Sequence, residues 1–445
     1  MNAAGWTIAG HAAAQVLRFG SNLILTRLLA PEMFGVMAVG YMVFTGFVML
    51  SDMGTFGLVS KSVRGEEPKF LNVVWVIQIV RGAAIALLAL ALSGLLSLDA
   101  VSGLFPEHSV YADPRVPGVI AVLCLHPLLS GFESTKCWYV RRNMLLKSLT
   151  KIELMSQVAT TVFIVTWAWI SPTIWALALG WVFGMAVKTV LSHTALPGPS
   201  NRLQWEGAAF REIFAFGKWA MVSSVFTFAL GSGDRILLGA YLDAKDMGAY
   251  SIALLLITAL QDVVLRITGV AALPAFSEVV RRRPEDLKKV VYQLRRVLDI
   301  ACFVPAGMLL MLGSQIIAVL YDARYATAGW MLTVLALTLI STPFNTFDQC
   351  LVAMGRMKLL SALNACRLIT LYTFVPLGYW FFGATGAVVA LPCASLVNTG
   401  ILIAVQARLG LLDAKRELLG IPLFGAGVLA GWLAALTIAW LRSHA

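Results

Sequence analysis

The sequence predicts an all-α membrane protein: two six-helix bundles related by a pseudo-two-fold axis along the membrane normal, followed by one extra carboxyl-terminal transmembrane helix. Three observations predict it. The composition is too apolar for water, the apolar runs have the length of a bilayer, and a constant offset of about 213 residues relates one half of the chain to the other.

Of 445 residues, 59% are hydrophobic and 13% charged, and the mean hydropathy is +0.82. Soluble domains hold roughly 45–50% apolar and about 25% charged residues, so no aqueous fold could hide this much apolar surface. The formal net charge of +11 would suit nucleic acid if the basic residues lined one polar face. They fall instead in short clusters between apolar runs, the pattern of membrane topology, and no nucleic-acid partner is expected. The six cysteines, Cys124, Cys137, Cys302, Cys350, Cys366 and Cys393, lie in apolar stretches without a CxxC spacing. They read as small packing residues, and neither a metal nor a cofactor is expected.

A hydrocarbon core of about 30 Å takes roughly 20 apolar residues in a helix. That rule gives spans near 5–29, 33–60, 70–97, 116–140, 147–170 and 172–195, then 211–241, 247–276, 291–320, 327–353, 359–382 and 384–408, and a thirteenth at 418–441. The first run lacks the charged segment and cleavage site of a signal peptide and is expected to be retained as a span. Alternate connections carry the positive charge: Lys61, Arg64 and Lys69; Lys136 to Lys151; Arg202 and Arg211; Arg281 to Arg296; Arg356 and Lys358; Lys415 and Arg416. Positive loops stay in the cytoplasm, which puts the amino terminus inside and the carboxyl end outside. Segment 196–210, with Pro197, Gly198, Pro199 and Ser200, has the composition of a linker. It separates an amino-terminal bundle at 1–195 from a carboxyl-terminal bundle at 211–410. The offset places 24–35 on 237–248 and Gly35 on Gly248, and it also places Cys137 on Cys350 and Ser148 on Ser361. Two copies of six spans share one orientation, an arrangement used by transporters.

An ionised group at the centre of a span costs about 2.5–3.5 kcal/mol on insertion scales, so such residues face a cavity or a partner. In the first span Thr7, His11, Gln15, Arg18 and Asn22 recur every three or four residues and share a helical face. Arg18 lies near mid-membrane with no carboxylate three or four residues away, which favours a cavity-facing role. Tyr41, Thr45 and Asp52 continue the pattern in span two, and Gln78 and Arg81 in span three. In the second half, Ser224, Thr227, Gly231 and Asp234 share a face beside Arg235. Ser251, Thr258, Asp262 and Arg266 align in the next span, and Thr338, Ser341, Asn345 and Asp348 in span ten. Local pairing is the competing reading for Asp262 with Arg266 and for Asp234 beside Arg235. Glu133 and Lys136, near a cytoplasmic end, are expected to be solvated. No GxxxxGK[ST], HExxH, GxSxG or GxGxxG motif occurs, so ATP hydrolysis and hydrolytic catalysis are not expected.

The stretch LILTRLLAPEMFGVMAV and its counterpart GDRILLGAYLDAKDMGAYSIALLL resemble the bacterial oligosaccharide flippases of polysaccharide biosynthesis, the Wzx type. These belong to the multidrug, oligosaccharidyl-lipid and polysaccharide exporter superfamily, and the likeness covers about residues 1–410. It implies a pair of bundles around a central cavity that opens alternately to each side of the inner membrane. The implied substrate is an undecaprenyl-pyrophosphate-linked oligosaccharide, an anionic lipid. Arg18, Arg81 and Arg266 are then the candidates to hold the pyrophosphate, because guanidinium pairs with it bidentately. His11, Gln15 and Asn22 are candidates for sugar hydroxyls, and Asp52, Asp262 and Asp234 for charge balance or for coupling to H+ or Na+. A polysaccharide polymerase and chain-length proteins are implied partners beside the membrane lipids. The rival readings are a cation-coupled multidrug exporter, which would favour an acidic cavity, a peptidoglycan-precursor flippase, and a membrane enzyme. The last would need a loop rich in catalytic groups, and the longest external connection, near 98–115, holds few. The thirteenth span exceeds the common twelve and has no assigned role.

Overall fold

The computed structural model describes the chain apart from residues 1, 2, 99, 100, 102, 104 and 445. The side chains of 3–9, 11, 56, 61, 216, 219, 222, 263, 266, 267, 270, 271, 439 and 441–444 also lie outside the description. Among the described residues the protein is helical and has no strand, as a bilayer demands of any open chain that must satisfy its own backbone.

A helix occupies each of the thirteen expected positions. The first group is α1 (Ala3–Leu28), α2 (Pro31–Leu50), short α3 (Thr55–Lys61), α4 (Pro68–Leu96), α5 (Arg115–Leu123), α6 (Leu125–Gly131), α7 (Lys136–Arg142), α8 (Leu146–Ile170) and α9 (Ile174–Thr194). There follow α10 (Gly207–Gly231), α11 (Gly233–Tyr241), α12 (Ala244–Arg282), α13 (Leu287–Leu320), α14 (Thr327–Leu335), α15 (Thr338–Ser341), α16 (Thr346–Ala353), α17 (Met357–Arg408), α18 (Ala414–Glu417) and α19 (Gly420–His444). Among the described residues, eight helical segments are long and apolar enough to cross a membrane, nine when the bent pair Arg115–Gly131 and Lys136–Arg142 counts as a span. One of the eight, α17, holds the two expected spans 359–382 and 384–408. They meet at Gly383, whose φ of 63° and ψ of −152° break the helix in a region that side-chain-bearing residues avoid. Past the break Gly378 and Gly386 touch backbone to backbone, closing a tight helical hairpin. α1, α10 and α12 are not among the counted spans, and each includes side chains outside the description.

The chain forms two compact units, Met1–Ala244 and Lys245–Ala445. In the first, α1 lies along α8, α4 along α5 and α6, and α10 along α2. Close approach of α10 is set by Gly46 against Phe228 and Gly217 against Met53. Its first two turns enter a core of Leu58, Val59, Phe70, Leu71, Val73, Val74 and Ile77 through Ala209 and Ile213.

The segment expected to be a linker is non-helical over 196–206, as its Pro and Gly content dictates, while 207–210 already belong to α10, and it is bonded to the first unit. Asn201 Oδ1 accepts from Ser134 Oγ at 2.6 Å, and Asn72 Oδ1 accepts from the Arg202 backbone N–H at 2.9 Å. Gln204 accepts from Asn72 at 3.1 Å, and Glu206 takes both its bonds from Arg64 at 2.9 Å. The packing boundary therefore falls near residue 244, beyond the linker.

In the second unit a core of Phe276, Leu287, Val291, Phe303, Phe344, Phe347, Cys350, Leu363 and Leu402 joins α12, α13, α16 and α17. The thirteenth span is a member of this unit. α19 runs along α13 with Gly307 against the backbone of Phe424 to Val428, Gly427 against the Val304 carbonyl and Gly431 against Met308. This GxxxG seam lets two helices approach closely where lipid offers no hydrophobic drive. The opposite face of α19 shows Leu429, Trp432, Leu433, Leu436 and Trp440 to the surroundings, as a lipid-facing surface does.

Candidate functional site

α1 is one uninterrupted helix, Ala3–Leu28, over the positions of the first-span stripe. Gly10 sits against Thr150 of α8. Further along, Gln15 and Asn22 are half-buried and Arg18 is exposed. No ion pair to the Arg18 guanidinium occurs among the described residues, and its backbone carbonyl accepts from Ser21 Oγ at 2.9 Å. The side chains of His11 and Arg266 lie outside the described residues, so neither assignment is located, nor is the pairing of Arg266 with Asp262.

Arg81 and Asp52, read separately from sequence, come together. Arg81 Nε donates to Ser51 Oγ at 3.0 Å and Nη2 to the Val48 carbonyl at 2.8 Å, with Asp52 Oδ1 3.9 Å from Nη1. These partners end α2, so the guanidinium satisfies carbonyls left open by the helix terminus and opposes its negative dipole. Asp52 Oδ1 also accepts from the Gly54 N–H at 3.0 Å, fixing the left-handed turn there.

Asp234 stands in the first turn of α11, where an acidic group complements the helix dipole. Asp262 is half-buried in α12, and its neighbour Gln261 donates to Thr342 Oγ1 at 3.4 Å. Several striped hydroxyls bond back to their own helix, Ser251 to Met247 O and Thr258 to Leu254 O at 2.8 Å, Thr227 to Ser223 O at 3.0 Å. That is the local reading.

Four charged arrangements were not anticipated from sequence. Asp348 of α16 holds Arg367 of α17 bidentately at 2.7 and 3.0 Å, and Asn364 and Asn345 also accept from Arg367. Glu133, expected to be solvated, is largely buried and paired with Lys188 of α9 at 2.9 Å. Lys136 donates to the His193 carbonyl at 2.8 Å. Arg295, counted with the cytoplasmic loop charges, is 2% exposed. It bonds Asp299 at 3.2 Å and Glu417 at 2.7 Å, and it lies over the Phe344 ring. Tyr292 donates to the same Glu417 oxygen at 2.6 Å, so the connection before the thirteenth span is anchored to α13. Lys188 and Arg367 stand within apolar runs and were visible as span charges.

Outside the membrane, Arg115 forks Asp113 through Nε at 2.9 Å and Nη2 at 2.7 Å. Burial pushes the Asp113 carboxyl up, but the Arg115 side chain, backbone N–H and charge together hold it below its usual value. Arg64, bonded by Glu206 and Glu67, is held above its ordinary value. No group of three or more His, Cys, Asp or Glu suited to a metal occurs among the described residues.

Residues 24–330, more than half of the chain, match the family described as polysaccharide biosynthesis protein. The succinoglycan biosynthesis transport protein ExoT of Rhizobium meliloti (strain 1021) is 24% identical over 443 residues, 99% of this chain and 86% of that relative. Among solved structures, an inward closed lipid II flippase MurJ superposes with a TM-score of 0.69 at 12% identity, covering 97% of this chain and 93% of that one. An inward-facing multidrug resistance MATE transporter of the MOP superfamily gives 0.67 at 13%, covering 92% and 98%. At those identities the superpositions establish the fold, and the family match establishes kinship. The apolar helices, the shared exporter fold and the matched residues together make the chain a multi-pass membrane transporter that belongs to the polysaccharide biosynthesis protein family.

Proposed function

We propose that the protein is a flippase and not an enzyme. It moves an undecaprenyl-pyrophosphate-linked oligosaccharide repeat unit from the cytoplasmic to the periplasmic leaflet of the inner membrane, with its amino terminus in the cytoplasm. The product feeds O-antigen, capsule or exopolysaccharide synthesis, and the succinoglycan transport relative favours exopolysaccharide. The single observation that carries the reading within the chain is Arg18: an exposed guanidinium on the polar face of the first span, with no ion pair among the described residues. Such a group is available to a pyrophosphate, which it matches bidentately.

Gln15 and Asn22, one turn to either side, are the candidates for sugar hydroxyls, with His11 and Arg266 assigned from their sequence positions. Arg81 is already bonded to the end of α2, and Asp52 balances it. Asp262 and Asp234 are the candidates for H+ or Na+ coupling. Transport proceeds by alternating access between two helical repeats, 1–195 and 211–410. A polymerase and chain-length proteins would receive the flipped unit. The test is surface polysaccharide in an Arg18→Ala strain with normal protein levels. Export is expected to fall at least about tenfold, the loss of one charge-assisted contact. Undiminished export removes Arg18 from the mechanism.

A further inference from the structure

One titratable group inside the first unit has no part in the contacts above. His126 stands at the start of α6, where Cys124 separates α5 from α6. At a rise of about 1.5 Å per residue from Arg115, it lies roughly 16 Å deep, near the middle of a core about 30 Å thick. Rings from two helices pack around it. Phe44 of α2 meets the imidazole edge to face with centroids 4.7 Å apart, and Trp181 of α9 lies 6.2 Å away. Tyr41 packs on Trp181 at 4.7 Å.

A neutral imidazole has one donor and one acceptor nitrogen. Here Nδ1 is inaccessible and has no hydrogen-bond partner among the described residues, and the same holds for Thr45 Oγ1 on the neighbouring α2. A buried polar atom without a partner calls for an explanation, and a group that changes protonation between states is one.

The charged groups around it are few. Glu133 follows its own helix and is paired with Lys188 of α9. From α4, Gln78 donates to the Ser130 carbonyl and Arg81 is turned toward α2. Cys137 donates to Glu133, Cys124 is buried, and Tyr41 stands on α2. A cation near the ring opposes an imidazolium and a carboxylate favours one, and here the two are paired with each other. The aromatic faces supply cation–π stabilisation to an imidazolium.

We propose that His126 is a proton-binding site of the first unit, a residue through which export is coupled to the proton gradient. The coupling rests on the flippase reading; the proton binding does not. In the transport cycle the ring takes a proton at Nδ1 when the surrounding rings part, and it returns the proton when they close. No other bond changes.

Full-length protein labelled at histidine, in lipid nanodiscs, would be titrated by NMR from pH 4 to 8, with His126→Gln identifying the signal among five histidines. A reversible shift at His126 is expected. Glu133→Gln should move its midpoint to more acidic pH and Lys188→Met to more basic pH, each by roughly half a unit or more. A His126 signal that stays fixed across this range overturns the proposal, as does a midpoint indifferent to both substitutions. In proteoliposomes, with a fluorescent polyprenyl-pyrophosphate disaccharide as probe, a pH gradient should accelerate wild-type flipping and leave His126→Gln unaffected. A gradient response retained in the variant overturns the coupling. Wild-type protein that moves no probe defeats the flippase reading and leaves the titration standing.

Discussion

Removing Glu417 tests what fixes the thirteenth span. One oxygen of this carboxylate accepts from both Arg295 Nη1 at 2.7 Å and Tyr292 OH at 2.6 Å, while its Oε2 is buried with no partner among the described residues. The Arg295 side chain is 3% exposed and Glu417 13%, so water replaces neither bond. Glu417→Ala strands a guanidinium N–H and a phenol O–H, and Asp299 alone remains for Arg295. Breaking a buried ion pair from one side costs about 3–5 kcal/mol. Glu417→Gln keeps the accepting oxygen and loses only the charge, at a cost of about 1–2 kcal/mol, because Asp299 still neutralises Arg295. The assay is thermal unfolding in nanodiscs with protease accessibility of the connection at 409–419. Alanine should lower the midpoint clearly more than glutamine and open the connection to cleavage. Equal midpoints for wild type and Glu417→Ala, or a glutamine variant as weak as alanine, would refute the claim that this oxygen holds the span.

Gly427→Leu should destabilise the second unit by about 1–3 kcal/mol of overpacking, because any Cβ there runs into the Val304 carbonyl; a melting midpoint equal to wild type would contradict the seam. Asp113 contributes stability at pH values above the unfolded carboxyl value of 3.8, which is lost as pH falls through its depressed folded value. Hydrogen exchange of the 105–114 connection should therefore be faster in Asp113→Asn at pH 7, with the difference vanishing in stronger acid.

Helix positions were legible because a bilayer imposes a length on apolar runs, and that length survives without knowledge of packing. The α17 hairpin shows the same logic, since Gly383 was the gap between two expected spans. Partners were less legible. Arg295 reads as a loop charge because it follows RRRPEDLKK, yet α13 begins at Leu287 and carries it into the packed layer. Its second partner lies 122 residues away, beyond any helical spacing rule. Arg367 and Asp348 are 19 residues apart on different helices, so periodicity within one helix joins neither to the other. The linker was recognisable by Pro and Gly, but its bonds to Asn72, Ser134 and Arg64 depend on hairpins folded elsewhere.

The charges within the spans divide by what already holds them. A charge at mid-span costs about 2.5–3.5 kcal/mol, and four cations recover that cost within the resting protein: Arg81 at the end of α2, Lys188 with Glu133, Arg367 with Asp348, and Arg295 with two carboxylates. A group committed in this way cannot bind an anionic lipid without surrendering bonds of equal quality. Arg18 has no such ion pair among the described residues. Two of the three arginines expected from sequence to share a pyrophosphate, Arg18 and Arg81, should therefore separate on mutation. Arg81→Ala should lower the unfolding midpoint of the first unit, at about 2–3 kcal/mol for lost charge-assisted bonds, and reduce export in proportion to the protein that remains folded. Arg18→Ala should leave the midpoint within about 0.5 kcal/mol of wild type and still reduce export. If Arg81→Ala protein melts like wild type and exports nothing, Arg81 acts on the substrate, and its contacts at Ser51 and Val48 are the resting position of a binding group.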